Sequence, residues 1–374
     1  MFVATRNNKI FISFSMGMCT NTSFLMTKIY NFLVQNGYQI VWHREDADII
    51  ILDSCGITDQ ILSQSESSLQ GLISKFPSKQ VLYIGCAAEL GLEIVQEKAT
   101  FITHQQYDKF NIIFNPTVLF QDINVDNLLF SQGVNNFGGR DDSVVKISQG
   151  CNNQCSYCNI RLAKGQLKSR EIKEILVDIK RFVARNETVI TLLADDCGSY
   201  GLDIGQNLPK LITEIIESNS KISLKIFQAN PMFIIKYFEQ LAPFIESNKI
   251  IFMTLPVQSA SPRILKLMNR HYEIEDIKKI LSKMRKINGK LLLATHFIVN
   301  FPSETLAEFN ESIDLAVFFN YNIFQIYGNN KRTKANDYYN KFHYLPDELN
   351  LKMEKIEKSI KNNQINGVLK PIFS

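Results

Sequence analysis

Two blocks of short apolar runs, separated by amphipathic stretches, account for almost the whole chain. In the first block KIFISFS (9–15), ADIIILDS (47–54) and KQVLYIG (79–85) are continuous runs rich in Ile, Val and Phe. That is the pattern of strands buried on both faces of a parallel sheet. Between them, SFLMTKIYNFLVQNG, ending at Gly37, and ILSQSESSLQGLISKF carry apolar residues at helical spacing. The alternation predicts an open, doubly wound α/β domain over residues 1–136. FGGRDDS (137–143) is glycine-rich and charged, and marks the predicted boundary.

The second block has longer units. VVKIS, TVITLLAD, SLKIFQA, KIIFMTL, LLLATHFIV and NIFQIYG are six strand candidates, alternating with helical stretches such as EIKEILVDIKRFVARN, LPKLITEIIES, MFIIKYFEQLAPFIE and LAEFNESIDLAVFF. Six successive βα units over 137–345 predict a partial (β/α)6 barrel, open on one side. DELNLKMEKIEKSIKNNQ then reads as one lysine-rich helix with a solvated lysine face, and NGVLKPIFS as a tail, so 346–374 are a basic C-terminal helix and tail.

Bulk composition changes this picture little. The chain has 374 residues, enough for two or three domains. A net charge of +4 permits an anionic partner without demanding one. No run approaches the ~18 apolar residues that span a bilayer, so no membrane partner is expected. The N-terminal MFVATRNNKIFISFSMGMC is soon needed as a strand, which argues against a signal peptide. Seven cysteines in so long a chain are no disulfide framework. Reduced, metal-binding thiols in the cytoplasm are the better expectation.

Candidate chemistry enters at GCNNQCSYCNI, directly after the first strand of the second block. Cys151, Cys155 and Cys158 are spaced CxxxCxxC. Three thiolates can hold three irons of a [4Fe–4S] cube and leave the fourth without a protein ligand. Two other readings remain: one face of a helix, since the spacing is also i, i+4, i+7, and a zinc site completed by Cys197. Gly150 and the Asn-Asn pair argue for a loop. The spacing, with Tyr157 inside the loop, resembles the radical S-adenosylmethionine (SAM) enzymes, in which SAM chelates the open iron. That resemblance gives a role to polar residues at other strand ends. Asp195 and Asp196 sit where an acid would meet the ammonium of SAM, unless they simply cap the following turn. Gln258, Ser259 and Ser261 lie at another strand end, followed by a helix with Arg270. In FPSETLAEF, Ser303 or Thr305 is a helix cap. Tyr157, Asp195, Asp196, Gln258, Ser259 and Arg170 are the candidate SAM contacts.

Cys19, Cys55 and Cys86 lie 36 and 31 residues apart, yet each comes at or shortly after the end of a predicted strand. In an open parallel sheet those ends converge on one crevice, where three thiols could hold a second cluster or could simply be small buried residues. Together the two trios resemble the methylthiotransferase family of radical SAM enzymes. The likeness runs from MCTNTSFLMTKIYNFLVQNGY through DSCGITDQ, IGCAAEL, ISQGCNNQCSYCNIRLAKGQLKSR, DDCGSYGLDIGQNLPKL, ANPMFI and LPVQSASPRILKLMNRHY to FPSETLAEF. YGLDIGQNLP with ANPMFI is most similar to the branch acting on threonylcarbamoyl-adenosine in tRNA. The resemblance implies two [4Fe–4S] clusters: an auxiliary one on Cys19, Cys55 and Cys86, and a SAM-cleaving one on Cys151, Cys155 and Cys158. It also implies SAM as methyl donor and radical source, and a reductant protein of the flavodoxin or ferredoxin type.

The chain departs from that pattern where SAM and substrate would sit. H-x-P-x-Q-S-G-S appears as TLPVQSAS, with Thr254 and Ala260. T-D-x-I-x-G-F-P-G-E-T appears as THFIVNFPSET, with His296, Asn300 and Ser303. Gly328, Asn330 and Arg332 are atypical in YGNNKRTKA, and Lys164 replaces an arginine in RG-x-x-x-SR. The sequence also stops after the linking helix, without the TRAM β-barrel that the resemblance implies. These departures favour methylthiolation of a peptide or specialised metabolite. Modification of a tRNA adenosine is the alternative, and a degenerate cluster-binding paralogue a further one.

Overall fold

The computed structural model describes residues 2–14, 19–90, 99–130, 143–342 and 346–370. The chain divides into two compact units, and the boundary expected at 136 lies outside the described residues.

The first unit is built on β1 (Lys9–Ser13), α1 (Thr20–Gln35), β2 (Gln39–Ile40), β3 (Ile49–Ser54), α2 (Asp59–Lys75), β4 (Gln80–Gly85), α3 (Cys86–Leu90), β5 (Ala99–Ile102) and α4 (Lys109–Phe114). Its sheet is wholly parallel, in the order β2-β1-β3-β4-β5. The period-two alternation of a strand explains both faces. Ile49 and Ile51 of β3 join Ile29, Phe32 and Phe110 on the side of α1 and α4, whereas Ile50 and Leu52 join Leu62, Leu69 and Ala87 on the side of α2 and α3. Residues 159–165, which include α5 (Ile160–Lys164), also belong to this unit, and Ala163 packs into the second of these cores.

The second unit opens with β6 (Val144–Lys146) and a short antiparallel pair, β7 (Ser148–Gln149) and β8 (Lys168–Ser169). It continues through α6 (Ile172–Ala184), β9 (Val189–Leu193), α7 (Leu208–Ser218), β10 (Ser223–Ile226), α8 (Pro231–Glu246), β11 (Ile250–Thr254), α9 (Pro262–Leu267), α10 (Ile274–Ile287), β12 (Leu292–Val299), α11 (Leu306–Ala316), β13 (Tyr321–Ile326), α12 (Ala335–Lys341), α13 (Pro346–Lys361) and β14 (Gly367–Lys370). The sheet order β6-β9-β10-β11-β12-β13-β14 follows the sequence and every pairing is parallel. This is the curved sheet of a partial β/α barrel. The six expected strands are all present.

Two expectations are corrected here. The C-terminal segment read as a tail forms a seventh strand, pairing Asn322 with Gly367 and Phe324 with Leu369. Four residues after a polar stretch carry too little pattern to announce a strand. The lysine face of α13 is not wholly solvated either. Lys352 is fully buried, and its Nζ donates to Asn300 Oδ1 (3.0 Å), the Glu304 carbonyl (2.6 Å) and Glu304 Oε2 (3.3 Å).

The two positions that replace family glycines keep a glycine-like backbone, with φ of 62° at Asn300 and 71° at Ser303. Asn tolerates that region because its short polar side chain bonds locally, and here it also accepts from Lys352. The Ser303 hydroxyl accepts from Arg263 Nη1 at 3.0 Å. Asn300→Ala should therefore cost roughly 2–3 kcal/mol, from backbone strain and a buried ammonium left one acceptor short. Ser303→Gly, which relieves strain but loses an exposed bond, should stay within about 1 kcal/mol of the parent. Urea unfolding midpoints of the two variants check this, and equal losses would show that side chain and backbone do not act together at Asn300.

Candidate functional site: two cysteine trios

In the second unit Cys151, Cys155 and Cys158 lie on a loop following β7, so the helical-face reading is set aside. The end of α9 pins that loop. Ser156 N donates to the Met268 carbonyl (3.0 Å), Ser156 Oγ to the Leu267 carbonyl (2.7 Å), and Asn269 Nδ2 to the Gln154 carbonyl (2.7 Å). Within the loop, Cys158 N donates to the Cys155 carbonyl (3.1 Å) and Asn153 N to Cys151 Sγ (3.4 Å). Tyr157 sits edge-on to Phe301, and its hydroxyl accepts from Arg270 Nη2 at 2.8 Å. Arg270, expected on a helix, lies just beyond the C-terminus of α9, where its N–H closes the helix end by donating to the Leu265 carbonyl.

The two strand-end acids hold the same loop. Asp195 Oδ2 accepts from Gly150 N at 2.9 Å. Asp196 is buried, accepting from Asn153 Nδ2 (2.6 Å), Gly198 N (2.9 Å) and Asn230 N (2.9 Å). Burial pushes its carboxyl above the ordinary range, and these bonds oppose the rise. Gln258 has φ of 74° and ties to β12 through its backbone, donating to the His296 carbonyl and accepting from Ile298 N. Ser259 is fully buried, its Oγ accepting from Ser261 N at 3.2 Å. Thr305, not Ser303, caps α11, in a reciprocal box with Glu308. Arg170 is engaged by α6 and β6: its guanidinium donates to Asp178 Oδ2 and the Lys146 carbonyl, each at 2.8 Å. A cavity of about 370 Å³ opens beside the loop, lined by Asn152, Asn153, Cys155, Asn230, Met232 and Arg270 among others, but not by Arg170. That volume lies within the range of small-molecule sites. Within β12, His296 is half-buried, and desolvation and the charge of Lys370 push it down to about 4, so its neutral ring accepts from Gln228 Nε2 at 3.3 Å.

In the first unit the other trio follows strand ends. Cys19 is the N-cap of α1, its Sγ accepting from Thr22 N at 3.5 Å. Cys55 follows β3 directly, and Cys86 begins α3 immediately after β4. Gly85, at φ of 96°, makes that last turn possible, since a Cβ there would stand 2.4 Å from the Ser54 carbonyl oxygen. Sequence reading missed two charged neighbours of this trio. Asp53 is buried and pushed up to about 7, chiefly by desolvation. Lys164 of α5 is buried too, and its positive charge favours the ionised forms of Asp53, Cys55 and Cys86. Lys164 had stood out only as a replaced arginine, because nothing in the sequence places it in this unit.

Each trio acts as an electrostatic group. Cys151 senses both Cys155 and Cys158, Cys55 senses Cys19, and Cys86 senses Cys55 and Cys19. Burial pushes Cys151 and Cys55 up to about 12 and Cys86 higher. Such thiols stay protonated near neutral pH unless a metal takes the proton's place. Among the described residues no three His, Cys, Asp or Glu side chains converge on a single metal ion. In a cube each thiolate binds its own iron, so a cluster site does not require three thiols to converge on one ion. The zinc alternative also lacks its fourth thiolate, because Cys197 is buried in the helix-side core and donates to the Leu192 carbonyl at 3.4 Å.

The fold and these trios define the class. Residues 145–316 match the radical SAM superfamily, and residues 12–104 match an uncharacterized protein family designated UPF0004. The radical SAM methyltransferase TsrM of Kitasatospora setae superposes with a TM-score of 0.55 at 10% identity, over 85% of this chain and 75% of that one. The cobalamin-dependent SAM radical enzyme OxsB gives 0.54 at 11%, over 96% and 62%. At such identities the likeness is one of fold alone. Closer in sequence is the ribosomal protein uS12 methylthiotransferase RimO of Thermosipho africanus, 31% identical over 76% of this chain and 67% of its own length. A probable threonylcarbamoyladenosine tRNA methylthiotransferase of Pyrococcus abyssi is 30% identical over 75% and 67%. The human threonylcarbamoyladenosine tRNA methylthiotransferase is 27% identical over 76% and 51%. The chain belongs to the radical SAM methylthiotransferase family, enzymes that form C–S bonds.

Proposed function

We propose that this chain methylthiolates an unactivated C–H position of a peptide or specialised metabolite, with [4Fe–4S] clusters on Cys151, Cys155, Cys158 and on Cys19, Cys55, Cys86. The observation that carries the reading is the pair of three-thiol groups, each set at strand ends of a parallel α/β unit. When bound, the clusters and SAM supply a 5′-deoxyadenosyl radical and a methylated sulfur, given electrons from a flavodoxin- or ferredoxin-type reductant. The residues' own tasks are to hold and orient. The anchors from Asp195, Asp196 and α9 fix the loop at 150–158, and the adjoining cavity offers Asn and Arg donors for a polar cofactor. A preorganised, desolvated pocket keeps a reactive species close to its target.

The preference for a non-tRNA target rests on the altered strand ends. At His296 a neutral imidazole stands where the family motif has an acid. With a net charge of +4, electrostatic attraction for a polyanion is modest. A modified tRNA adenosine is the second reading, favoured by the names of the Pyrococcus and human relatives. The test is anaerobic reconstitution followed by incubation with SAM, reductant and either bulk tRNA or candidate peptides. A methylthio mass gain on a peptide supports the first reading, and one on tRNA nucleosides replaces it with the second. Absence of 5′-deoxyadenosine with every substrate would leave a cluster-binding protein without turnover.

A further inference from the structure

A histidine stands beside the first unit's trio that neither the motifs nor the family likeness singles out. His104 lies two residues past Ile102, the last residue of β5, and Cys86 lies two residues past Ile84 of β4. Ile84 and Ile102 are register partners, so the sheet itself sets Cys86 and His104 side by side at its C-terminal edge. His104 Nε2 is 3.5 Å from Cys86 Sγ, and His104 Nδ1 is 2.6 Å from the Tyr107 hydroxyl. The rings of His104 and Tyr107 meet edge-on with centroids 5.7 Å apart, and Tyr107 is itself packed against Phe110 and Phe120.

These contacts fix the tautomer. A cluster-bound thiolate can only accept, so Nε2 must carry the hydrogen. Nδ1 of the neutral ring is then an acceptor, and the Tyr107 hydroxyl is placed to donate to it. We propose that His104, oriented by Tyr107, donates a hydrogen bond from Nε2–H to the Cys86 sulfur and thereby raises the reduction potential of the auxiliary cluster. The proposal rests on the reading that Cys86 is a cluster ligand. A donor aimed at a ligating sulfur stabilises the electron-rich reduced cluster more than the oxidised one, which is how hydrogen bonds to sulfur tune such potentials. His104 is thus a positioning residue acting through Cys86.

The test uses the full chain with Cys151, Cys155 and Cys158 changed to alanine, so that only the auxiliary site can hold iron. After anaerobic reconstitution, the midpoint potential is read by electron paramagnetic resonance during titration with dithionite. His104→Leu should favour the oxidised cluster about tenfold at a fixed potential, a downward shift of about 59 mV for one electron. Tyr107→Phe, which keeps the packing and frees the ring, should shift it less in the same direction. His104→Gln, which retains an N–H donor, should restore much of the parent value. If the parent binds no cluster in this background, the ligand assignment fails, not the hydrogen bond. A full cluster in His104→Leu with an unmoved potential overturns the proposal. So does loss of iron in both His104→Leu and His104→Gln while Tyr107→Phe keeps the parent potential, since His104 would then be a ligand or a structural support.

Discussion

Alanine at Cys151, Cys155 and Cys158 together is expected to abolish 5′-deoxyadenosine formation, while the reconstituted chain keeps about four of about eight irons. Each trio lies within its own compact unit and holds its own group of interacting thiols. Emptying one should therefore leave the other intact. Alanine at Cys19, Cys55 and Cys86 is the mirror experiment: iron again falls by about half, deoxyadenosine continues to form, and methylthio transfer to any substrate stops. Iron analysis, visible absorbance and chromatographic assay of deoxyadenosine separate the two outcomes. The division of labour is wrong if the first variant still cleaves SAM, or if the second still transfers a methylthio group. Full iron in the second variant would show that Cys19, Cys55 and Cys86 are merely buried thiols.

Lys352→Met should destabilise the iron-free chain by about 3–5 kcal/mol, because breaking a buried ion pair forces the partner acid to take up a proton and leaves its acceptors without a donor. Lys352 and Glu304 are both buried, with side chains 0% and 1% exposed. The ammonium donates to three oxygens, two of them on Glu304, and a fourth, Glu348 Oε2, lies 3.9 Å away. The carboxyl also accepts from Asn300 N at 2.7 Å, and its other oxygen, Oε1, has no hydrogen-bond partner among the described residues. Burial raises Glu304 to about 7 against the opposing pull of Lys352, so removing the lysine pushes it further toward its neutral form. Adding Glu304→Gln to Lys352→Met removes the need to protonate a buried acid but keeps an acceptor for Asn300 N. The double variant should recover most of the loss. Urea denaturation of the parent, both single variants and the double variant gives the coupling directly. An additive cycle, or a single-variant loss below about 1 kcal/mol, would mean the pair is not coupled as the geometry demands.

Much of the fold was legible because long apolar strands and amphipathic helices carry strong periodicity. All six expected barrel strands formed, and α7 occupies the stretch read as helical. What was missed was short or depended on distant partners. β14 has four residues and draws its pairing from β13. β2 has two residues and β5 four, and neither stands out from its neighbours. The thiols were legible because cysteine spacing is a direct record of ligand geometry. Their surroundings were not: Lys164 and His104 come close to Cys86 through the fold, from positions 78 and 18 residues along the chain. The candidate SAM contacts show a further limit. Asp195 and Asp196 lie at the Cys151 loop, but strand-end position alone could not say that loop amides would bond their carboxylates. Arg170 matched a motif, yet its guanidinium is engaged by Asp178 and a β6 carbonyl.

The burial of Lys352 bears on how the second unit opens and closes. Chain ends commonly fray at little cost, and amide hydrogens there exchange early. Here α13 is keyed by one ammonium to the bend at 300–304, and β14 extends the parallel sheet beyond β13. The final 25 described residues are therefore held within the same cooperative unit as β12 and β13. Their amides are expected to exchange through subglobal opening shared with β12 and β13, which native-state hydrogen exchange would show.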